Sequence, residues 1–112
     1  MKTPRRGHLY WAKLPEDKRR PVLVVSSDAR NERAHDVIVV PLTTTLRPAL
    51  THVRLARREG GVQLSSVVAC ERITTLERTV LDPHPLGGPL SEERMHEVAR
   101  AMLRAIGVPI GL

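Results

Sequence analysis

Arg20-Pro21-Val22-Leu23-Val24-Val25-Ser26 is followed, one hairpin's length later, by Val37-Ile38-Val39-Val40-Pro41-Leu42-Thr43. Both runs are continuously apolar, as in strands buried on both faces, and both are rich in β-branched residues. Each has a polar group at its border, an arginine before the first run and a hydroxyl at the end of the second. Further strand-like runs flank them at roughly 8–13, 51–55 and 66–71, with another near 73–80. Turn chemistry separates the runs at Pro15 to Lys18, Ser27 to Asn31, Arg47-Pro48 and Gly60-Gly61. Within the second of these, Ser27 or Asp28 can cap one short helical turn.

One long helix is predicted near the C-terminus. Ser91 is its N-cap, Glu92 and Glu93 sit at the positive end of the dipole, and Leu90 can staple against Met95. Met95, Val98, Ala99, Met102, Leu103 and Ile106 recur at helical spacing, and Gly107 and Pro109 stop the run. These elements predict an α+β, mainly β chain: a small, strongly bent sheet or partial barrel with a C-terminal helix packed on it. With 112 residues and no repeat or linker, it is expected to be a single domain over 1–112.

Phe is absent, and Trp11 and Tyr10 are the only aromatics, so the core is aliphatic and base stacking on a row of aromatic rings is largely excluded. Eighteen Lys and Arg against twelve Asp and Glu give a net charge of +6, which favours a polyanionic partner. Most of the cations are arginines, suited to bidentate phosphate contacts. The apolar runs are too short to span a membrane, and no apolar segment follows the basic N-terminus as a secretory signal requires. A lone Cys70 allows no internal disulfide and fits a reducing cytoplasm. The five histidines are scattered at 8, 35, 52, 84 and 96 without a second ligand at metal spacing, so neither a metal nor a cofactor is expected.

A permanent cation at Arg20 and a hydroxyl at Thr43 can meet at one end of a sheet, which suits binding and rearranging a phosphodiester. Read alone, each residue also has a plainer role. Arg20 can be a solvated strand-end charge, Thr43 to Thr45 turn hydroxyls, and Glu71 a surface partner of Arg72 or Arg78. Cys70 reads as a small buried residue rather than a nucleophile.

Taken in order, Arg6-Gly7-His8-Leu9-Tyr10-Trp11-Ala12, the Arg20 to Ser26 strand, Val39-Val40-Pro41-Leu42-Thr43 and Ser66-Val67-Val68-Ala69-Cys70-Glu71 resemble the MazF/PemK toxin family. The resemblance implies an SH3-like small barrel of the CcdB/PemK type, assembled as a homodimer. It implies cleavage of single-stranded RNA, mRNA above all, without a metal, and inhibition by a MazE-like antitoxin with an acidic tail. The family's arginine falls on Arg20, its catalytic hydroxyl on Thr43, and a less uniform acidic position on Glu71. Arg20 then stabilises the phosphorane, Thr43 donates to a phosphoryl oxygen, and Glu71 is the better base on intrinsic acidity. Lys13, Lys18, Arg19 and Arg47 are expected to supply backbone affinity, with Thr44 and Arg72 nearer the bases.

The sequence departs from the family pattern in three places. The loop between the first two strands is cut to Leu14-Pro15-Glu16-Asp17-Lys18-Arg19. His8 stands where an acid is usual, either as an acid or RNA contact or as a surface strand residue. Arg72 and Thr74 replace the common Gln and Arg. Two other readings compete with the nuclease. One is a CcdB-like gyrase inhibitor, disfavoured because the tail Val108-Pro109-Ile110-Gly111-Leu112 lacks an aromatic. The other is a catalytically inactive RNA-binding relative.

Overall fold

A computed structural model describes residues 3–15 and 18–110; Glu16 and Asp17 of the first loop, and Gly111 and Leu112 of the tail, lie outside the described residues. The elements run β1 (Leu9–Leu14), β2 (Lys18–Val24), α1 (Asp28–Arg33), β3 (Asp36–Thr43), β4 (His52–Leu55), β5 (Ser66–Ala69), β6 (Thr74–Glu77) and α2 (Glu92–Ala105). All strand pairs are antiparallel, in the order β1-β2-β3-β5-β4, with β6 also on β3. The sheet is strongly bent, and no ladder among the described residues joins β1 to β4, so the barrel does not close.

Three strand boundaries differ from the sequence expectation, the run near 73–80 among them: its strand ends at Glu77 and a 3-10 turn follows over Arg78–Val80. β2 starts at Lys18, three residues before its apolar run, because Lys18, Arg19 and Arg20 pair with Leu14, Lys13 and Ala12. Backbone pairing in a tight hairpin is indifferent to those charges. β5 stops at Ala69, since the Arg72 N–H turns back to the Ala69 carbonyl (3.0 Å).

The two-sided burial expected of the central runs is observed. Leu9, Leu23, Val40 and Leu42 pack into a core shared with β4, β5 and α2. Their strand neighbours Tyr10, Val22, Val24, Val37 and Val39 form a second cluster with Leu81 on the opposite face. Segment 82–90 covers the outer edge of β1: Asp82, Leu86 and Leu90 donate their N–H groups to the carbonyls of Trp11, Leu9 and Gly7. β4 and β6 are therefore the strands left without a ladder partner on one side among the described residues.

Both predicted helix caps form. Ser27 Oγ accepts from the Arg30 N–H, and Ser91 Oγ from the Arg94 N–H, each typically worth about 1 kcal/mol. α1 is anchored by the fully buried Asn31, whose amide donates to the Pro4 and Ser26 carbonyls and whose Oδ1 accepts from the Ser26 hydroxyl. α2 is turned relative to the expected face. Met95, Val98 and Ala101 are buried, whereas Ile106 remains 65% exposed. The reason is that α2 meets β4, where Ala101 joins Val53 and Leu55 in one buried cluster, while Ile106 lies past the end of the helix.

Arg94 clamps α2 to the 59–61 turn. Its Nε and Nη2 donate to Glu59 Oε2 and Oε1 at 3.0 and 2.7 Å, and its Nη1 donates to Glu97 at 3.0 Å. The hydrogen bonds from Arg94 lower the Glu59 pKa, outweighing the upward push of burial and helped by the Ala56 N–H. Because the folded value lies below the unfolded one, this stabilisation is complete above the ordinary carboxylate range, about 4.3, and is lost as pH falls through the folded value. Chemical denaturation from about pH 5 downwards should therefore show a steeper loss of stability in the wild type than in Glu59→Gln.

Candidate active site

The β2–β3 ladder runs Val24–Val39, Leu23–Val40, Val22–Pro41 and ends there, with Arg20 and Thr43 each two residues beyond its last pair. Both side chains line one groove of ≈ 300 Å³, together with Pro41, Leu42, Thr45, Arg47, His52, Ala69, Glu71 and Arg72. The remaining wall comes from a corner in the partner of β3. Leu42 faces Val68, but Val39 faces Thr74, so three steps along β3 correspond to six along β5–β6. The surplus of three residues is taken up within the Cys70–Ile73 corner, and Glu71 and Arg72 ride on it. Pro41, without an N–H, sits where β3 changes partner on that side.

Within the groove the Thr43 Oγ accepts from the Thr45 N–H at 3.2 Å. That bond fixes the hydroxyl oxygen and leaves its proton free to be donated. Glu71 is the one carboxylate among the lining residues. Its Oε1 accepts from the Thr51 hydroxyl (3.1 Å), and its Oε2 lies 3.2 Å from His52 Nε2 and 3.9 Å from Arg72 Nε. Burial raises the Glu71 pKa, but its own backbone N–H, His52 and Thr51 together lower it further, so the net shift is downward. His52 Nδ1 meets the Arg47 carbonyl at 2.9 Å. His52 thus ties the 44–51 segment, which carries Thr45 and Arg47, to the corner that carries Glu71.

The structure thus brings Arg20, Thr43, Glu71, Arg47 and Arg72 together. It does not bring Lys13, Lys18, Arg19 or Thr44 into the groove lining. Strand alternation explains two of these: Arg19 and Thr44 are one residue out of step with Arg20 and with the Thr43–Thr45 pair. Arg19 instead bonds Asp82 (2.8 Å) and lies over the Trp11 ring, 5.5 Å from its centroid. Lys13 and Lys18 belong to the hairpin beyond Arg20. For His8 the plainer of the two readings, a residue of the strand border, fits its position. It sits opposite Val24, about four residues or ~13 Å up the ladder from Arg20, half-buried and not on the groove. Arg78 is not a partner of Glu71; it donates to the Asn31 and Ala34 carbonyls and to Thr3.

Thr45 and His52 were not foreseen. The alternation of His52-Val53-Arg54-Leu55, with Val53 and Leu55 buried, was the available signal that His52 faces the groove. Cys70 is buried, and that burial, with Glu71 beside it, pushes its thiol up to about 12, far from a nucleophile's range. Among the described residues no three His, Cys, Asp or Glu side chains converge to hold a metal ion.

Residues 5–106 match the family described as PemK-like, MazF-like toxin of type II toxin-antitoxin system. The chain belongs to this family. It is 31% identical over 103 residues to the probable endoribonuclease MazF5 of Mycobacterium tuberculosis, covering 92% of this chain and 93% of that one. It is 32% identical over 109 residues to endoribonuclease MazF1 of Mycobacterium bovis, covering 97% and 98%. Among solved structures, a mycobacterial endoribonuclease in complex with its cognate antitoxin superposes with a TM-score of 0.83 at 32% identity, over 96% of this chain and 99% of that one. The MazE–MazF complex of Deinococcus radiodurans gives 0.81 at 25%, over 97% and 100%. These neighbours establish the CcdB/PemK-type fold expected from sequence. Among the described residues no helix is long and apolar enough to cross a membrane.

Two contacts by one imidazole should govern the order of the 44–51 segment. His52→Ala is expected to speed amide hydrogen exchange across residues 44–51 while leaving exchange in α2 unchanged.

Proposed function

We propose that this endoribonuclease toxin, a single domain over residues 1–112, cuts single-stranded RNA in the groove lined by Arg20, Thr43 and Glu71. The substrate's 2′-hydroxyl attacks the adjacent phosphorus and the 5′-oxygen leaves, giving 2′,3′-cyclic phosphate and 5′-hydroxyl ends. The observation that carries this reading is the convergence of a guanidinium, an oriented hydroxyl and one ionised carboxylate on a single open groove.

Arg20 meets the phosphorane's extra negative charge with a cation that cannot be titrated away at working pH, and Arg47 and Arg72 add to the positive field. Thr43 donates to a non-bridging oxygen. Glu71 takes the 2′-hydroxyl proton, held ionised and aimed by Thr51 and His52, and water protonates the leaving 5′-oxygen; the same bonds weaken Glu71 as a base, so charge stabilisation carries more of the rate than proton transfer. No step is assigned to a metal. The protein acts in the cytoplasm on mRNA, as a homodimer, until an antitoxin with an acidic tail occupies the basic groove.

Purified protein incubated with a long defined transcript in EDTA should give sequence-specific cuts with the stated ends. Intact but bound RNA would instead identify an inactive RNA-binding relative. Arg20→Ala should lower the cleavage rate by about 10²–10³, and Arg20→Lys should recover little of it, because lysine lacks the planar fork. His8→Ala should leave the pH–rate profile unchanged.

A further inference from the structure

Three hollows adjoin one another. The groove described above shares Arg47 and His52 with a second hollow lined by Leu46, Ala49, Arg54 and Val67. That second hollow shares His52 and Arg54 with a third, between β4 and α2, where Arg94, Arg100 and Arg104 stand. His52 and Arg54 alternate on the same face of β4, with Val53 and Leu55 turned to the core. The hollows therefore form one continuous path. It leaves Arg20 and Thr43, follows the outer face of β5 and β4, and crosses the unpaired edge of β4 onto α2.

The charge along this path is not neutralised from within. Among the described residues no ion pair joins Arg20, Arg47, Arg54, Arg100 or Arg104 to a carboxylate. The acidic side chains nearest the far end are already committed: Glu97 to Arg94 at 3.0 Å, and Glu59 to Arg94 at 2.7 Å. Arg100 and Arg104 are four residues apart on α2, a spacing at which like charges destabilise a helix. The helix C-terminus favours Arg104 but not Arg100, one turn further back. Elsewhere Arg5, Arg19 and Arg30 are paired with Asp28, Asp82 and Asp36, and Arg33, Arg57 and Arg58, which have no ion pair among the described residues, line none of these hollows. The contrast singles out this path.

We infer that Arg54, Arg100 and Arg104 form an outlying phosphate track that holds the RNA strand beyond the scissile position. This deepens the nuclease reading and rests on it, since the strand must enter the Arg20–Thr43 groove to reach the track. An acidic peptide would satisfy the same charges. Continuity with the groove favours the polynucleotide: a strand running through the groove must leave it, and the third hollow is where the basic lining continues.

The test compares wild type with Arg54→Gln/Arg100→Gln/Arg104→Gln. The probe is 2′-O-methyl RNA, which binds but lacks the attacking hydroxyl, in lengths of about 5 and about 20 nucleotides. For the long strand, the slope of log affinity against log salt should fall by about 2, the value for three lost single-strand phosphate contacts. Affinity for the short strand, and the rate of cutting a short cleavable RNA, should stay unchanged. The corresponding triple lysine variant should restore the slope, separating charge from misfolding. An unchanged slope with the long strand would overturn the inference. So would an equal loss on the short strand, or a loss seen only with an acidic peptide such as polyglutamate. Cut mapping in EDTA reads the nuclease separately: a triple variant with lowered slope, in a protein that never cleaves RNA, would sink the catalytic reading and leave the track standing.

Discussion

The site depends on a mismatch in strand register. β3 is long enough to be paired along its length, but its partners on one side are two short strands, out of step by three residues. The surplus cannot be absorbed in an antiparallel ladder without breaking hydrogen bonds, so it is expelled as the Cys70–Ile73 corner. Cys70 anchors the corner from below, fully buried, and its N–H donates to the Thr51 carbonyl at 3.0 Å. Glu71 and Arg72, next in sequence, then have nowhere to go but the open side. In this way a packing constraint in the core places a carboxylate and a guanidinium beside Arg20 and Thr43.

Much of this was legible in the residues, and the limits are physical. Arg20 and Thr43 could be paired because both border apolar runs whose burial fixes their register; a slip by one residue would turn every valine to the wrong face. Glu71 was reachable only through the family resemblance, because the corner that presents it comes from a register difference between two distant strands. Net charge was the weakest guide. It recruited Lys13, Lys18 and Arg19 by proximity to Arg20, yet strand alternation turns Arg19 away towards Asp82, and the two lysines belong to the hairpin end. The same period separates Thr44 from Thr43 and Thr45. His52 looked solitary because its partners, Glu71 and the Arg47 carbonyl, come from outside its own strand.

The divided core explains why such a small chain can hold this geometry. β1, β2 and β3 bury both faces, one against α2 and the other against Leu81 and its neighbours. A strand clamped from both sides cannot tilt to relieve strain at its end, so Arg20 and Thr43 inherit the rigidity of the valines beside them. The opposite wall is held differently, by hydrogen bonds from Thr51 and His52 to a single carboxylate. One side of the groove is fixed by packing and the other by polar contacts, which places any adjustment to substrate on the His52 side.

The aromatic inventory limits how this groove can recognise bases. Tyr10 is buried, its hydroxyl accepting from the Arg5 N–H, and Phe is absent. Trp11 is 39% exposed, but the guanidinium of Arg19 lies over its ring and Asp82 holds that guanidinium in place. Among the described residues no Trp or Tyr ring lines the groove to act as a stacking platform. On the proposed reading, flat contact with a base would fall to the guanidinium planes of Arg47 and Arg72, which can stack and donate at once. On that reading, discrimination among bases would rest on hydrogen bonds from these arginines and from Thr45, with the Arg47 backbone held by His52 and the Thr45 N–H held by the Thr43 hydroxyl.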